Sequence, residues 1–345
     1  MFRVGAVICS AITLVAMITF ALSGCQGLSA TGQALDNGRA KIAQKSEGST
    51  RIPLNSDDMA ADRLGDLGYL GGLKLTSRDR RFGGLSGLLV SDDGARFLSV
   101  SDKGNWVRGK LLYRDRALVG VRDIEISPML GPDGRTVEGK EFGDAESLVG
   151  DLDGHVLVSF EGIPRIWSYD LSKGGFANRP TSIALPTDTR HVKNNGGLEG
   201  IAHLHDKAGT ILALTEDTKD DAGNMKGWLI RPGGSFSVSL KANRPFKLTD
   251  LAVLPNGDVL TLERRFTPMG GPGFQIRRID GGTIQPGATL DGSVVAGAGL
   301  PYSVDNMEGL DIRRDKDGRL VVYIVSDDNF NPLQRTLLLM FELRE

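Results

Sequence analysis

The stretch GLSGLLVSDDGARFLSVSDKG (Gly84–Gly104) reads as a complete β-hairpin with an acid at its end. An apolar run, GLLV, leads into a turn containing Asp93-Gly94, and a second β-rich run, RFLSVS, leads out to Asp102. Asp-Gly accepts positive φ at low cost, which tight hairpin turns require. Four further segments repeat the pattern: DAESLVGDLDGHVLVSFEG from Asp144, GLEGIAHLHDKAGTILALTED from Gly197, LTDLAVLPNGDVLTLERR from Leu248 and NMEGLDIRRDKDGRLVVYIVSDD from Asn306. Their turns hold Asp153-Gly154, Ala208-Gly209, Asn256-Gly257 and Asp317-Gly318. The third residue of each segment marks the period: Ser86, Glu146, Glu199, Asp250 and Glu308, at intervals of 60, 53, 51 and 58 residues.

A hairpin accounts for only half of such an interval. Further strand-like runs follow each one, such as KLLYRDRALVGVRDIEISP from Lys110. Four strands per roughly 50 residues is the mark of a β-propeller blade. The expected fold is therefore all-β, a propeller of four-stranded blades with five repeats counted; six blades are allowed if one repeat has diverged. After the fifth hairpin only TLLLMFELRE (Thr336–Glu345) remains, one strand short of a blade. YLGGLKLT (Tyr69–Thr76), ahead of the first repeat, can supply the missing strand, so the two ends of the chain would close the ring and remove an open edge. The competing reading is an open sandwich.

Composition agrees with a globular domain. The 345 residues are 40% hydrophobic and 24% charged with a formal net charge of -2, which gives no basic patch for nucleic acid. The N-terminus reads differently. Arg3, the apolar run Val4–Leu22 and the box LSGC (Leu22–Cys25) have the form of a lipoprotein export signal over residues 1–24, with Cys25 the lipidated residue. The run is also long enough for a membrane anchor. Gln26, rather than Asp, after the Cys favours the outer membrane, facing the periplasm, under Gram-negative sorting rules. Residues 25–62 are polar and read as a flexible tether, leaving 63–345 as the propeller domain. Cys9 and Cys25 are the only cysteines, so the domain has neither a disulfide nor a cysteine metal site.

A hairpin returns its last residue beside its first. Glu146 is then expected near Glu161, Glu199 near Glu216 and Asp217, Asp250 near Glu263, and Glu308 near Asp327 and Asp328, with Ser86 approaching Asp102. In a propeller these ends ring one mouth of the central channel. Two carboxylates about 5 Å apart repel by about 3 kcal/mol at an effective dielectric of about 20, so such a ring must take up protons or cations. Hard oxygen donors suit Ca²⁺, with Mg²⁺ or Mn²⁺ second. Lys103, Arg165, Lys219, Arg264 and Arg265 follow the acids and could either bind an anionic ester or phosphoester or salt-bridge the ring. His203 and His205 face one way on a strand, and a solvent-exposed turn explains them better than a metal pair. No G-x-S-x-G elbow or P-loop occurs.

RRFGGLSGL, DAESL, NNGGLEGI, LTDLAVLPNGDVLTLERR, DNMEGL and SDDNFNPLQRTLLLMFEL together resemble the phytase-like domain family, labelled "esterase-like activity of phytase", over about Leu70–Glu345. The resemblance implies Ca²⁺ at a carboxylate-rich mouth and phosphoester hydrolysis by metal-activated water, with Glu199 or Asp217 as a candidate base. The other function to be weighed is a non-catalytic lipoprotein propeller that binds a ligand or protein at its mouth.

Overall fold

The computed structural model describes residues 48–192 and 196–344. Strands β1 (Ser49–Ile52), β2 (Arg63–Leu64) and β3 (Leu67–Leu75) come first. Blade 1 is β4 (Leu85–Val90), β5 (Arg96–Ser101), β6 (Asn105–Arg114) and β7 (Ala117–Pro128), followed by the short helix α1 (Lys140–Gly143). Blade 2 is β8 (Ala145–Gly150), β9 (His155–Phe160), β10 (Arg165–Asp170) and β11 (Thr181–Ile183). Blade 3 is β12 (Leu198–His203), β13 (Ile211–Lys219), β14 (Met225–Arg231) and β15 (Gly234–Leu240). Blade 4 is β16 (Lys247–Val253), β17 (Val259–Thr267), β18 (Gly271–Ile279) and, after β19 (Thr289–Leu290) has paired with β15, β20 (Ser293–Gly299). Blade 5 is β21 (Asn306–Arg314), β22 (Leu320–Asp327) and β23 (Leu337–Leu343), completed by β3.

The protein is thus a five-bladed propeller. The inner strands contact one another in the order β4, β8, β12, β16, β21 and back to β4. The blade faces explain the long apolar runs. In β22, Val321, Tyr323 and Val325 pack into the cluster shared with blade 1, while Val322 and Ile324 pack into the cluster shared with blade 4. A strand buried on both faces reads as continuous hydrophobicity rather than as alternation. Where blades 5 and 1 meet, the inner strands come very close: a Cβ on Gly309 would lie 2.7 Å from the carbonyl carbon of Gly87.

Closure uses the strand that the sequence suggested, with Leu73 opposite Leu338 and Leu67 opposite Leu343. The ordered domain nevertheless begins earlier than residue 63. β1 adds a fifth strand to blade 5 by pairing with β3, Leu54 is buried in the core between blades 4 and 5, and Asn55 bridges to Tyr302. These residues are polar and short of aromatics, so their composition mimics a linker although they have partners. The expected signal over 1–24, Cys25 and the tether up to Glu47 lie outside the described residues. Among the described residues no helix is long and apolar enough to cross a membrane. Substituting Leu73, which is 0% exposed, with Asp buries a charge in the closing blade and is expected to abolish the cooperative thermal transition. The same change at Leu333, which is 89% exposed, should leave the transition within a few degrees. Equal melting of the two variants would refute closure through β3.

Candidate metal centre

Strand pairing shows which side chains reach the mouth. At that end of the inner hairpins Leu85 pairs with Ser101, Ala145 with Phe160, Leu198 with Thr215, Leu248 with Glu263 and Met307 with Ser326. The next residue on each inner strand is Ser86, Glu146, Glu199, Thr249 or Glu308. The residue following each second-strand partner is Asp102, Glu161, Glu216, Arg264 or Asp327. All of these except Thr249 line one cavity of about 220 Å³. The register breaks between Ala145 and Leu148, Leu198 and Gly200, Leu248 and Asp250, and Met307 and Gly309, so Glu146, Glu199, Thr249 and Glu308 stand on bulges. Bulges re-aim a side chain out of the ladder.

Blade 4 departs from the sequence expectation by one residue on both strands, which turns each side chain to the opposite face. Thr249 and Arg264 take the mouth positions expected for Asp250 and Glu263. Asp250 is buried below the mouth, where its carboxylate accepts from Ser147 Oγ at 2.6 Å, Leu310 N at 2.8 Å and Leu251 N at 2.9 Å. Glu263 is buried inside the blade, paired with Arg277 at 2.5 Å and accepting from Gln275 Nε2 at 2.6 Å. Neither lines the cavity. Asp328 also lies outside it, accepting from Gly84 N and Phe330 N at 3.1 Å and from Thr336 Oγ1 at 3.0 Å.

Of the cations expected there, only Arg264 lines the cavity, 2.8 Å from Glu308 and 3.2 Å from Glu216. Lys103 lies over the Phe330 ring. Arg165 stacks on Phe160 and Trp167 and donates to the carbonyls of Ile163 and Phe142. Arg265 donates to Gly271 O. Asp217 pairs with Lys219 at 2.8 Å, beyond the cavity lining. His203 is exposed at the far end of the β12–β13 hairpin.

Sequence reasoning did not assign Asp144, Lys140, Lys247 and Asn329 to the site. Asp144 had a readable signal: it opposes Glu161, whose N–H donates to Asp144 O at 2.9 Å, so the hairpin-end rule applies to it as well. Lys247 occupies the equivalent position in blade 4 and reaches Glu216 at 2.9 Å. Lys140, on α1, stands 3.9 Å from Asp144. Asn329 reaches the mouth from the loop after β22, through a backbone bond to Asp327 at 2.6 Å, and carries no such signal.

The cavity gathers eight carboxylates (Asp102, Asp144, Glu146, Glu161, Glu199, Glu216, Glu308 and Asp327) against three cations (Lys140, Lys247 and Arg264). Burial, and then Asp144, Glu161 and Glu308, push Glu146 well above the usual carboxylate range. Burial followed by Glu146 and Glu216 does the same to Glu199. Asp144 rises to about 7, chiefly by burial, with Lys140 opposing and Glu161 adding to the rise. Glu308 reaches about 7 by burial in spite of Arg264, and Asp327 about 8 by burial in spite of the Asn329 N–H. The excess lies on blades 2 and 3. There Asp144, Glu146 and Glu161 form one group, and Glu161, Glu199 and Glu216 another, with a ligand oxygen from each member within 4.8 Å of the others. Asp144 Oδ2 and Asp102 Oδ1 are buried without a hydrogen-bond partner among the described residues. An all-oxygen donor set, negative in excess and short of donors, fits a hard divalent cation.

A five-bladed propeller with a carboxylate-lined mouth is the class that fold and site define. The chain belongs to the phytase-like family, described as "Esterase-like activity of phytase", which matches residues 80–330. No curated protein matches the chain. Similar solved structures include an alpha-L-arabinofuranosidase from Podospora anserina in complex with cellotriose (12% identity, 87% of this chain and 98% of that one, TM-score 0.48). Others are an endo-arabinase from Bacteroides thetaiotaomicron (11%, 76% and 94%, TM-score 0.46) and a PQQ-bound aldose sugar dehydrogenase from Streptomyces coelicolor (14%, 87% and 99%, TM-score 0.41).

Proposed function

We propose that the protein is a calcium-dependent phosphoesterase of the cell envelope, acting at the channel mouth. The observation that carries this reading is the pair of carboxylate groups that share Glu161. Asp144, Glu146, Glu161, Glu199 and Glu216 would hold the cation. When bound, a divalent cation supplies charge neutralisation to a phosphoryl group and a more acidic water. Calcium is favoured over smaller ions because flexible carboxylate donors from several strands suit its variable coordination. Membership of the phytase-like family supports the ester class of substrate.

The chain's own residues divide the remaining work. Arg264 and Lys247, both on blade 4, offer N–H donors on the side of the mouth away from Asp144 and Glu146, where they would orient an anionic substrate. Burial, and then Glu146 and Glu216, raise the proton affinity of Glu199, which suits it to act as a proton acceptor. A cavity of about 220 Å³ is smaller than pockets that enclose whole ligands, roughly 300–1,000 Å³, so it would admit the ester head and leave the remainder of the substrate outside. The sequence Arg3–Cys25 supports attachment through a lipid on Cys25, with the domain in the periplasm.

Purified protein assayed on phosphomonoesters and carboxylesters should turn over phosphoesters with Ca²⁺, lose that activity in EDTA and lose about 100-fold or more on Glu199→Gln. Hydrolysis indifferent to both EDTA and Glu199→Gln would refute the mechanism. Calcium binding with no turnover on either panel would favour the non-catalytic ligand-binding propeller.

A further inference from the structure

Asp250 belongs to the acid series by sequence, yet among the described residues it pairs with no cation, and it does not line the cavity. Its hydrogen bonds run across the channel. Oδ2 accepts from Leu310 N on blade 5, two residues beyond Glu308. Oδ1 accepts from Ser147 Oγ on blade 2, the residue next to Glu146. Ser147 Oγ in turn accepts from Ile201 N on blade 3, two residues beyond Glu199, at 3.3 Å. One carboxylate therefore connects, directly or through a single hydroxyl, the three inner strands that carry Glu146, Glu199 and Glu308. Thr249 adds a fourth strut, its Oγ1 donating to Met307 O at 3.1 Å, immediately before Glu308.

These contacts answer a particular difficulty. An innermost strand is the free edge of its sheet and leaves backbone N–H groups facing a channel too narrow for another strand. The mouth glutamates also stand on bulges, where the ladder does not hold the backbone. We infer that Asp250 is a positioning residue, a brace across the channel that holds the bulges bearing Glu146 and Glu199 at the spacing a cation requires and ties them to the bulge on which Glu308 meets Arg264. This rests on the reading of the mouth as a cation site. A second inter-blade carboxylate supplies the contrast. Asp311 accepts from Val90 N at 2.6 Å, joining blade 5 to blade 1 at the end of β4 away from the mouth, and reaches none of the three bulges.

The test compares wild-type protein with Ser147→Ala, Asp250→Asn and Asp311→Asn by calcium titration and by amide hydrogen exchange. Asn at 250 presents one acceptor oxygen where three donors converge. Ser147→Ala removes the hydroxyl that links Asp250 to Ile201 and spares the carboxylate, so it remains informative if Asp250→Asn does not fold. Ser147→Ala and Asp250→Asn should weaken calcium binding by about 10- to 100-fold, the range expected when a ligand's supporting hydrogen bonds are removed. The Ile201 amide should exchange about tenfold faster in Ser147→Ala, as loss of a hydrogen bond worth about 1.4 kcal/mol implies. Asp311→Asn should lower the melting temperature while keeping calcium affinity. Folded Ser147→Ala with wild-type affinity and unchanged Ile201 exchange would overturn the inference. Wild-type protein that binds no calcium would instead remove the reading of the mouth, and Ile201 exchange would still decide whether the brace exists.

Discussion

Glu161→Gln is expected to abolish calcium binding, with a loss of at least about 100-fold in affinity, or about 2.8 kcal/mol at 1.4 kcal/mol per decade. Glu161 is the one residue common to both carboxylate groups, so its loss disables both together. The substitution is otherwise mild. Glu161 Oε1 accepts from Gly196 N at 2.6 Å and Gly197 N at 3.4 Å, and a glutamine oxygen can keep both bonds. What disappears is the negative charge and the second acceptor oxygen. Glu216→Gln provides the comparison, because Glu216 already spends its oxygens on Lys247 and Arg264 at 2.9 and 3.2 Å. Its substitution should weaken binding by about tenfold or less. Isothermal titration of the two variants measures both numbers. Glu161→Gln within threefold of wild type would place the cation elsewhere or remove it.

The second large effect is a pH dependence that reverses with calcium. Asp144 and Glu308 have folded-state pKa values of about 7, and Asp327 of about 8. Unfolded, they would titrate near 4. The folded protein thus holds protons that the unfolded chain has released. The associated stability is present below about pH 4 and is lost as pH climbs through 7 and 8. At about 1.4 kcal/mol per unit, even a fraction of these shifts amounts to several kcal/mol. In EDTA the melting temperature should fall steadily from pH 5 to 8.5. Below pH 5 the carboxylates held low by hydrogen bonds, such as Asp79 bound by Arg81, add a loss of their own and obscure the effect. Saturating calcium should flatten or invert the slope, since the cation competes with those protons and gains affinity as they leave. A melting temperature in EDTA that is constant or rising over pH 5–8.5 would contradict the strained ring.

The fold was legible because every repeat carries both its own turn chemistry and a double-sided apolar strand. Gly94 and Gly318, at φ of 73° and 81°, take the conformations that the Asp-Gly pairs announce. The closing strand could be found because the last hairpin is followed by a single strand, Leu337–Leu343, whose outer edge is unpaired until β3 arrives. β1 escaped notice because four residues of STRI, two of them exposed, lack the pattern of a strand and gain their pairing only from β3. The candidate site was half legible. Glu146, Glu161, Glu199, Glu216, Glu308 and Asp327 follow from the rule that hairpin ends meet. The rule misplaced Asp250 and Glu263 for a physical reason. Alignment by acid is blind to a one-residue offset, whereas alignment by the buried pair Leu248–Glu263 exposes it. Distinguishing Arg264 from Arg265 depended on that same offset.

That offset gives the mouth a direction. Had blade 4 kept the pattern of its neighbours, the ring would carry acids on all five blades and its field would be nearly axial. Lys247 and Arg264 instead make one positive sector facing the negative one on blades 2 and 3. The potential therefore slopes across the opening as well as along it. An anionic ester of the kind proposed would be turned in such a gradient before contact, its anionic end swinging toward blade 4. Arg264 and Lys247 are counter-charges for the ring, and in the proposed phosphoesterase they would also act as a compass for the substrate.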